Sequence, residues 1–314
     1  MIIVDTHCDT LKYAMEGNKS LYSNDLHNDF SRMKEKGQFV QFFAIFIERQ
    51  LIKVTPLQYT ISAIDYFYNE LDKHSDVISL CCNYDDIMKA FGENKSAAVL
   101  SIEDGCALQG DLYVLRILYE LGIRSICLTW NHSNEIAVGI DDSIKYKNTD
   151  GLSQFGIDTI REMNRLGMLV DVSHLSEAGF WDVVQYCKGP FIASHSNAYS
   201  ICGNQRNLTD KKIAALKNSG GVMGINLYPE FLHDSGKAEI SDVVKHIEHV
   251  ASIAGIDCIG LGCDFDGIEA IASGITGVQD IDKILNALLA LNYPEEAISK
   301  IAGENFLRVI KQVL

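Results

Sequence analysis

The chain has 314 residues, 47% of them hydrophobic, enough to bury one large core or two smaller ones. Lys and Arg number 27 against 42 Asp and Glu, a net charge of -15 that repels nucleic acid and anionic membrane surfaces alike. Ordinary aromatic and charged fractions, 9% and 22%, exclude a disordered chain, and any anionic group on a ligand must find its own local cation.

Met1 to Val4 lead straight into Asp5, with neither the basic segment nor the apolar length of a secretion signal. No later run approaches the ~20 apolar residues of a membrane helix. The nine cysteines, Cys8, Cys81, Cys82, Cys106, Cys127, Cys187, Cys202, Cys258 and Cys263, show no CxxC spacing and lie mostly in or beside apolar runs. They read as reduced core thiols rather than disulfides, and the expected location is the cytoplasm.

In chain order, β-branched runs predict strands at residues 2–7, 39–47, 97–103, 125–130, 168–174, 191–195, 221–227 and 258–264. Helical spacing falls between them. Residues 112–121 follow Asp111, 157–166 follow Ser153, 213–216 follow Thr209 and 243–254 follow Ser241, each opener serving as an N-cap or first-turn residue. Gly122, Gly167 and Gly255 stand where a helix should stop before the next strand. An extra apolar run at 77–82 predicts an added edge strand or insertion. After Asp264 the pattern predicts a helix near 278–291 and two shorter ones opened by Pro294 and Gly303. About eight strand–helix units without a linker predict a single (β/α)8 TIM-like barrel of the α/β class spanning 1–314.

The C-terminal ends of barrel strands, where sites are built, are unusually polar. They read Asp5-Thr6-His7-Cys8-Asp9, Ser101-Ile102-Glu103-Asp104-Gly105, Asp171-Val172-Ser173-His174, Ala193-Ser194-His195-Ser196 and Gly262-Cys263-Asp264-Phe265-Asp266-Gly267. On an extended segment His7 and Asp9 leave the same face, a sensible half of a metal site, while Cys8 points away as a packed thiol. Glu103 ends an apolar strand where an unpaired carboxylate is costly, and its two oxygens could bridge two cations. A single strand-end histidine is usually structural and His-x-Asp alone is weak. Three histidines and three acids on five strand ends favour metal ligation by His7, Asp9, Glu103, His174 and His195, with Asp264 beside them. Asp266 is expected to cap the following turn, closed by Gly267.

At these residues the sequence resembles the membrane (renal) dipeptidase family of zinc peptidases, related to the amidohydrolase barrels. The likeness runs nearly end to end: Asp5-Thr6-His7-Cys8-Asp9 resembles its D-x-H-x-D and Glu103-Asp104-Gly105 its E-x-G. Val170-Asp171-Val172-Ser173-His174 resembles V-D-x-S-H, Ser194-His195-Ser196 its S-H-S, Arg206-Asn207 its R-N pair, and residues 262–267 its G-x-D-F-D-G. The resemblance implies two zinc ions per chain, one on His7 and Asp9, the other on His174 and His195, with Glu103 bridging. It implies a zinc-dependent dipeptidase in which a hydroxide shared by the ions attacks the peptide carbonyl of a free dipeptide. Asp264 would hold the substrate amine and move the proton, Arg206 would clamp the C-terminal carboxylate, and Tyr228 would line that pocket or pack in the core. A soluble member is implied, with no membrane or nucleic-acid partner and room for a homodimer.

One departure stands out. Where the family has Leu-Thr-His this chain has Leu128-Thr129-Trp130-Asn131-His132, so Trp130 takes the place of the carbonyl-polarising histidine. His132, two residues on, faces the same side if the strand stays extended, and is the candidate to replace it. The competing readings are another two-metal reaction on the same barrel (deacetylation, lactone opening, cyclic-amide or phosphoester hydrolysis) and a binding relic that has lost its metals.

Overall fold

The structure is a computed structural model that describes residues 1–50 and 52–314. It contains strands β1 (Ile3–Cys8), β2 (Phe39–Phe46), β3 (Ile78–Leu80), β4 (Ser96–Glu103), β5 (Ile123–Cys127), β6 (Leu169–Asp171), β7 (Ile192–Ser196), β8 (Val222–Ile225) and β9 (Ile259–Leu261). All pairings between them are parallel, in the order β2-β1-β9-β8-β7-β6-β5-β4-β3, and a β2–β4 pairing from Val40–Ala97 to Phe46–Glu103 closes the ring. Eight strands therefore form the barrel expected from the alternating pattern. β3 pairs only with the start of β4, at Ser96, Ala97 and Ala98, below the point where β5 joins that strand.

Parallel strands covered on both faces need continuous apolar sequence, and β2, Phe-Val-Gln-Phe-Phe-Ala-Ile-Phe, is buried throughout. Its one polar residue is satisfied inside: Gln41 accepts from Asn28 Nδ2 at 2.8 Å and donates to the Asp5 carbonyl at 3.2 Å. At the other end the first residues of the strands, Val4, Val40, Ala97, Leu169, Ile192 and Val222, pack with Phe306, Leu307, Val309 and Ile310 of the C-terminal helix Asn305–Val313. That helix plugs the N-terminal mouth, so open chemistry is left to the C-terminal mouth.

Helix boundaries follow local signals with some corrections. Ser153 caps helix Gln154–Leu166, accepting from Gly156 N, and Gly167 ends it in the left-handed conformation at φ 71°. Asp111 and Thr209 occupy N-cap positions without a side-chain bond, and Ser241 lies inside the first turn of Ile240–Ala254, which Glu239 opens. The chain tail differs more. Pro294 does open a helix, but Gly303 opens nothing: Glu295–Ser299, a π-helical turn Lys300–Glu304 and Asn305–Val313 run on without a break. Gly303 is there because a Cβ would come within 2.7 Å of the Ile2 carbonyl on the approach to β1.

Three predicted strands stop three residues early. β5 ends at Cys127 rather than Trp130, β6 at Asp171 rather than His174, and β9 at Leu261 rather than Asp264. The backbone leaves the ladder to turn polar residues inward, and His174 and Asp264 adopt left-handed φ of 66° and 61°. All nine cysteines are free thiols, seven of them buried. Among the described residues no helix is long and apolar enough to cross a membrane.

Inside the barrel three strands crowd one carbonyl. Thr6 Oγ1 donates to the Ser194 carbonyl at 2.7 Å and the Leu261 carbonyl at 3.0 Å, and a Cβ at Gly262 would collide with that same Ser194 oxygen. Gly262→Ala should therefore destabilise by about 1–3 kcal/mol through overpacking. Equilibrium urea unfolding measures this, and an unchanged midpoint would mean that β7 and β9 can separate freely.

Candidate metal centre

Glu103, at the last position of β4, is 3% exposed and lies among three imidazoles. Its Oε2 is 3.4 Å from His7 Nε2, and its Oε1 is 2.8 Å from His174 Nε2 and 3.5 Å from His195 Nε2. His7 Nε2 also lies 3.4 Å from Asp9 Oδ2 and 3.7 Å from Asp264 Oδ1. Ligand-capable atoms thus form compact groups, His7 with Asp9 and Glu103, and Glu103 with His174 and His195, which share the glutamate; His7, His195 and Asp264 form a third.

Asp9 reaches the centre by a different route from simple alternation. β1 ends at Cys8, and Asp9, at φ -99° and ψ 10°, already opens the helix Thr10–Gly17. Cys8 is buried on the other side, with Asn28 Nδ2 3.7 Å from its sulfur. Room for the two carboxylates comes from Gly267, where a Cβ would strike Asp9 Oδ2 and Asp264 Oδ1. Asp266 does not cap the turn that follows it. Its carboxylate accepts from Thr10 Oγ1 at 2.6 Å and His27 N at 2.8 Å, stitching the loop after β9 to the start of the first helix.

The electrostatics are those of a cluster short of positive charge. Burial and the nearby Glu103 push the Asp9 carboxyl up to about 7, and burial raises Asp264. Burial would raise Glu103 too, but His7 and the other imidazoles hold it well below the usual carboxylate range. His7 answers in kind: burial disfavours its charge, yet Glu103 and Asp9 hold its proton affinity well above normal. His174 is lowered to about 3 by burial and Arg206, and His195 falls well below normal through burial and His7.

Hydrogen bonds on the far side of each ring decide what faces inward. His174 Nδ1 lies 2.6 Å from Asn131 Oδ1, an acceptor, so it carries the proton and leaves Nε2 as a lone pair. His195 Nδ1 lies 2.8 Å from Ser194 Oγ, whose own hydrogen goes to Asp171 Oδ2. The two bare Nε2 atoms point together, 2.8 Å apart, beside a carboxylate. Buried His7 Nε2 and Asp9 Oδ1 have no hydrogen-bond partner. Neutral imidazoles, carboxylates and orphaned acceptors converging in one place fit divalent metal, and N/O donor sets of this kind suit zinc.

Arg206 is 8% exposed, neither a surface arginine nor a helix cap. One terminal nitrogen is 3.0 Å from His174 Nε2 and 3.4 Å from the His195 carbonyl; Nε has no partner, and the guanidinium sits 5.5 Å over the Phe231 ring. Asp264 lies across the centre, with Asn226 Nδ2 donating to its Oδ2 at 2.8 Å. Tyr228 stands one layer back: its ring meets Phe231 edge-on at 4.9 Å, and its backbone N–H donates to Asn226 Oδ1 at 2.6 Å.

His132 is not brought into the cluster. With β5 ending at Cys127, alternation no longer governs its direction; its Nδ1 lies 3.3 Å from Asp142 Oδ1 and its ring is edge-on to Trp130. Asn131 of this loop holds His174 Nδ1, and Trp130, packed against Phe46 at 5.1 Å, brings its ring to 6.3 Å from the His174 ring, centroid to centroid. Sequence reasoning also passed over Asn131, Asn226 and the orienting pair Asp171 and Ser194. Asp171 and Ser194 were visible as the other polar letters of the two histidine motifs; for the asparagines there was no signal, since their role depends on which loop lies opposite.

The membrane dipeptidase (peptidase family M19) model matches residues 1–314. A relative from Schizosaccharomyces pombe, described as an uncharacterised dipeptidase, is 35% identical over 335 aligned positions, covering 99% of this chain and 80% of that protein. A crystal structure described as dipeptidase AC, a family M19 metallopeptidase, superposes with a TM-score of 0.90 at 26% identity, covering 100% of this chain and 98% of that one. A metallopeptidase from Rhodobacter sphaeroides, liganded with a phosphinate mimic of L-Ala-D-Ala, gives 0.90 at 25% identity, covering 100% and 99%.

Because Glu103 is common to both ligand groups, Glu103→Gln should strip metal from both while the barrel persists. Elemental analysis alongside circular dichroism checks this; a variant retaining the full metal content would remove Glu103 from the centre.

Proposed function

The chain belongs to the membrane dipeptidase family, and from that membership we propose that it is a dipeptidase holding two zinc ions and cleaving the peptide bond of free dipeptides. His7 and Asp9 would hold one ion, His174 and His195 the other, with Glu103 between them. Bound there, the metals would supply Lewis acidity and bring the acidity of a water into the neutral range.

The observation that carries the substrate assignment is the charge at each end of the cluster. Asp264 lies on the His7 side, 3.7 Å from its Nε2, and Arg206 on the His174 side, 3.0 Å from its Nε2. A carboxylate and a guanidinium flanking one hydrolytic centre match the ammonium and carboxylate of a short zwitterion. Asn226 engages one Asp264 oxygen and leaves the other facing inward, where it can hold the amine and hand a proton to the leaving nitrogen. Arg206, its plane backed by Phe231 and its Nε free, offers a two-pronged fork to the C-terminal carboxylate. Tyr228 would brace Phe231 through its edge-on contact. Trp130 and Phe46 would give the site an apolar wall beside His174.

Two measurements test the reading. Metal-loaded protein should cleave a free dipeptide with kcat/KM at least about 100-fold above its N-acetyl form, its amide or a C-terminally extended tripeptide, the worth of about one buried charge-assisted contact. Arg206→Lys should lose much of that preference, since a point charge cannot replace the fork. Equal cleavage of blocked and free compounds would transfer the site to another amidohydrolase reaction.

For His132, held by Asp142 away from the cluster, substitution by alanine should leave zinc content intact and turnover within a few-fold of native. A loss of turnover of about 100-fold or more, the scale of a general acid or polarising group, would return the carbonyl-polarising role to it.

A further inference from the structure

Asp171 is 3% exposed at the end of β6 and touches no candidate ligand directly. Its Oδ1 accepts the backbone N–H groups of Ser173 and Ser194, both at 3.0 Å, and its Oδ2 accepts the Ser194 hydroxyl. All three contacts use it as an acceptor, which fixes the direction of the serine hydrogen. Ser194 Oγ therefore turns a lone pair toward His195 Nδ1, 2.8 Å away. The other hydroxyl nearby, Ser173 Oγ, is 3.4 Å from Ser194 Oγ and accepts the His195 backbone N–H at 3.3 Å, so it holds the main chain rather than the ring.

We propose that Asp171 is a positioning residue that sets the tautomer of His195 through Ser194, placing the proton on Nδ1 and keeping Nε2 bare for the metal. This rests on the two-zinc reading above. Carboxylates usually orient a metal-binding histidine directly; here a hydroxyl is interposed, so polarity is passed on through two hydrogen bonds. The consequence is specific. In Asp171→Asn the amide can still accept the two backbone N–H groups through its oxygen, but it presents an NH2 to Ser194. The serine hydroxyl must then rotate, its hydrogen facing His195 Nδ1, and the ring proton moves to Nε2, where metal binding needs a lone pair. Ser194→Ala merely removes the relay and leaves the ring free to choose either tautomer.

The order of effects separates this from ordinary loss of structure. Zinc affinity of the full chain, stripped of metal, is measured by competition with a chromogenic chelator, with thermal unfolding of the metal-free forms as the control for folding. Ser194→Ala should weaken one of the two zincs about tenfold, and Asp171→Asn about 100-fold, the two ends of the range in which removing such outer partners acts. The double variant D171N/S194A should recover to the Ser194→Ala level, because the asparagine then has no hydroxyl to reverse. A double variant as weak as Asp171→Asn, or Asp171→Asn binding like the native chain, would overturn the relay. Should Asp171→Asn fail to fold, Ser194→Ala decides alone: undiminished affinity overturns it. A native chain that binds no zinc fails the two-zinc reading instead, a result distinct from all of these.

Discussion

Everything at the open end of this barrel is arranged around one buried carboxylate. Glu103 lies within 3.5 Å of three imidazole nitrogens, in a pocket where an ionised group without counter-charge is strongly disfavoured. Nearby Asp9 and Asp264 add to the negative charge, and Arg206 is the guanidinium buried against the cluster. The imidazoles cannot relieve it together: Glu103 and Asp9 raise the proton affinity of His7, while burial and neighbouring charges lower those of His174 and His195. Such a set is compact and unfrustrated only around added cations, which is why the same residues that look poorly satisfied as a protein core make sense as a metal centre.

The scaffold meets the demand by breaking its own regularity at the right places. β6 and β9 stop before the residues they deliver, and His174 and Asp264 turn inward with positive φ. Two buried aspartates hold these departures in register. Asp171 bonds the backbone ahead of itself and that of Ser194, directly before His195. Asp5 does the same on the far side of β8, its Oδ1 accepting from His7 N at 3.4 Å and from Cys263 N at 2.8 Å, directly before Asp264. Each aspartate thus ties its own strand to the neighbour that supplies another functional side chain. Placement of the candidate ligands is set by backbone pinning between strands, not by the strand geometry alone.

Acidity and recognition are linked as well. The chain carries 42 acidic residues against 27 basic ones, yet the guanidinium at the centre is buried, backed by an aromatic ring and left with an unpaired Nε. A cation withdrawn from a negative surface and kept partly unsatisfied is suited to an anionic end group that arrives with the ligand.

Much of this was legible in the residues themselves. Alternating strand and helix patterns determined the barrel, because period and apolar run length are local properties. The polar letters at strand ends singled out His7, Asp9, Glu103, His174 and His195 as candidates that the fold brings together, because a barrel directs all its strand ends to one mouth whatever the loop details. What needed tertiary structure was every outcome set by a partner distant in sequence. Asp266 looked like a turn cap, but Thr10 and His27, from the segment that follows the neighbouring strand β1, claim it. Gly303 looked like a helix start, but it lies in a continuous helical run where β1 leaves no room for a Cβ. His132 was expected to face the site by alternation, but β5 ends at Cys127 and Asp142 takes the ring instead. Sequence spacing carries direction only while the backbone stays regular. Once the chain leaves the ladder, direction is decided by which hydrogen-bond partner happens to lie within reach.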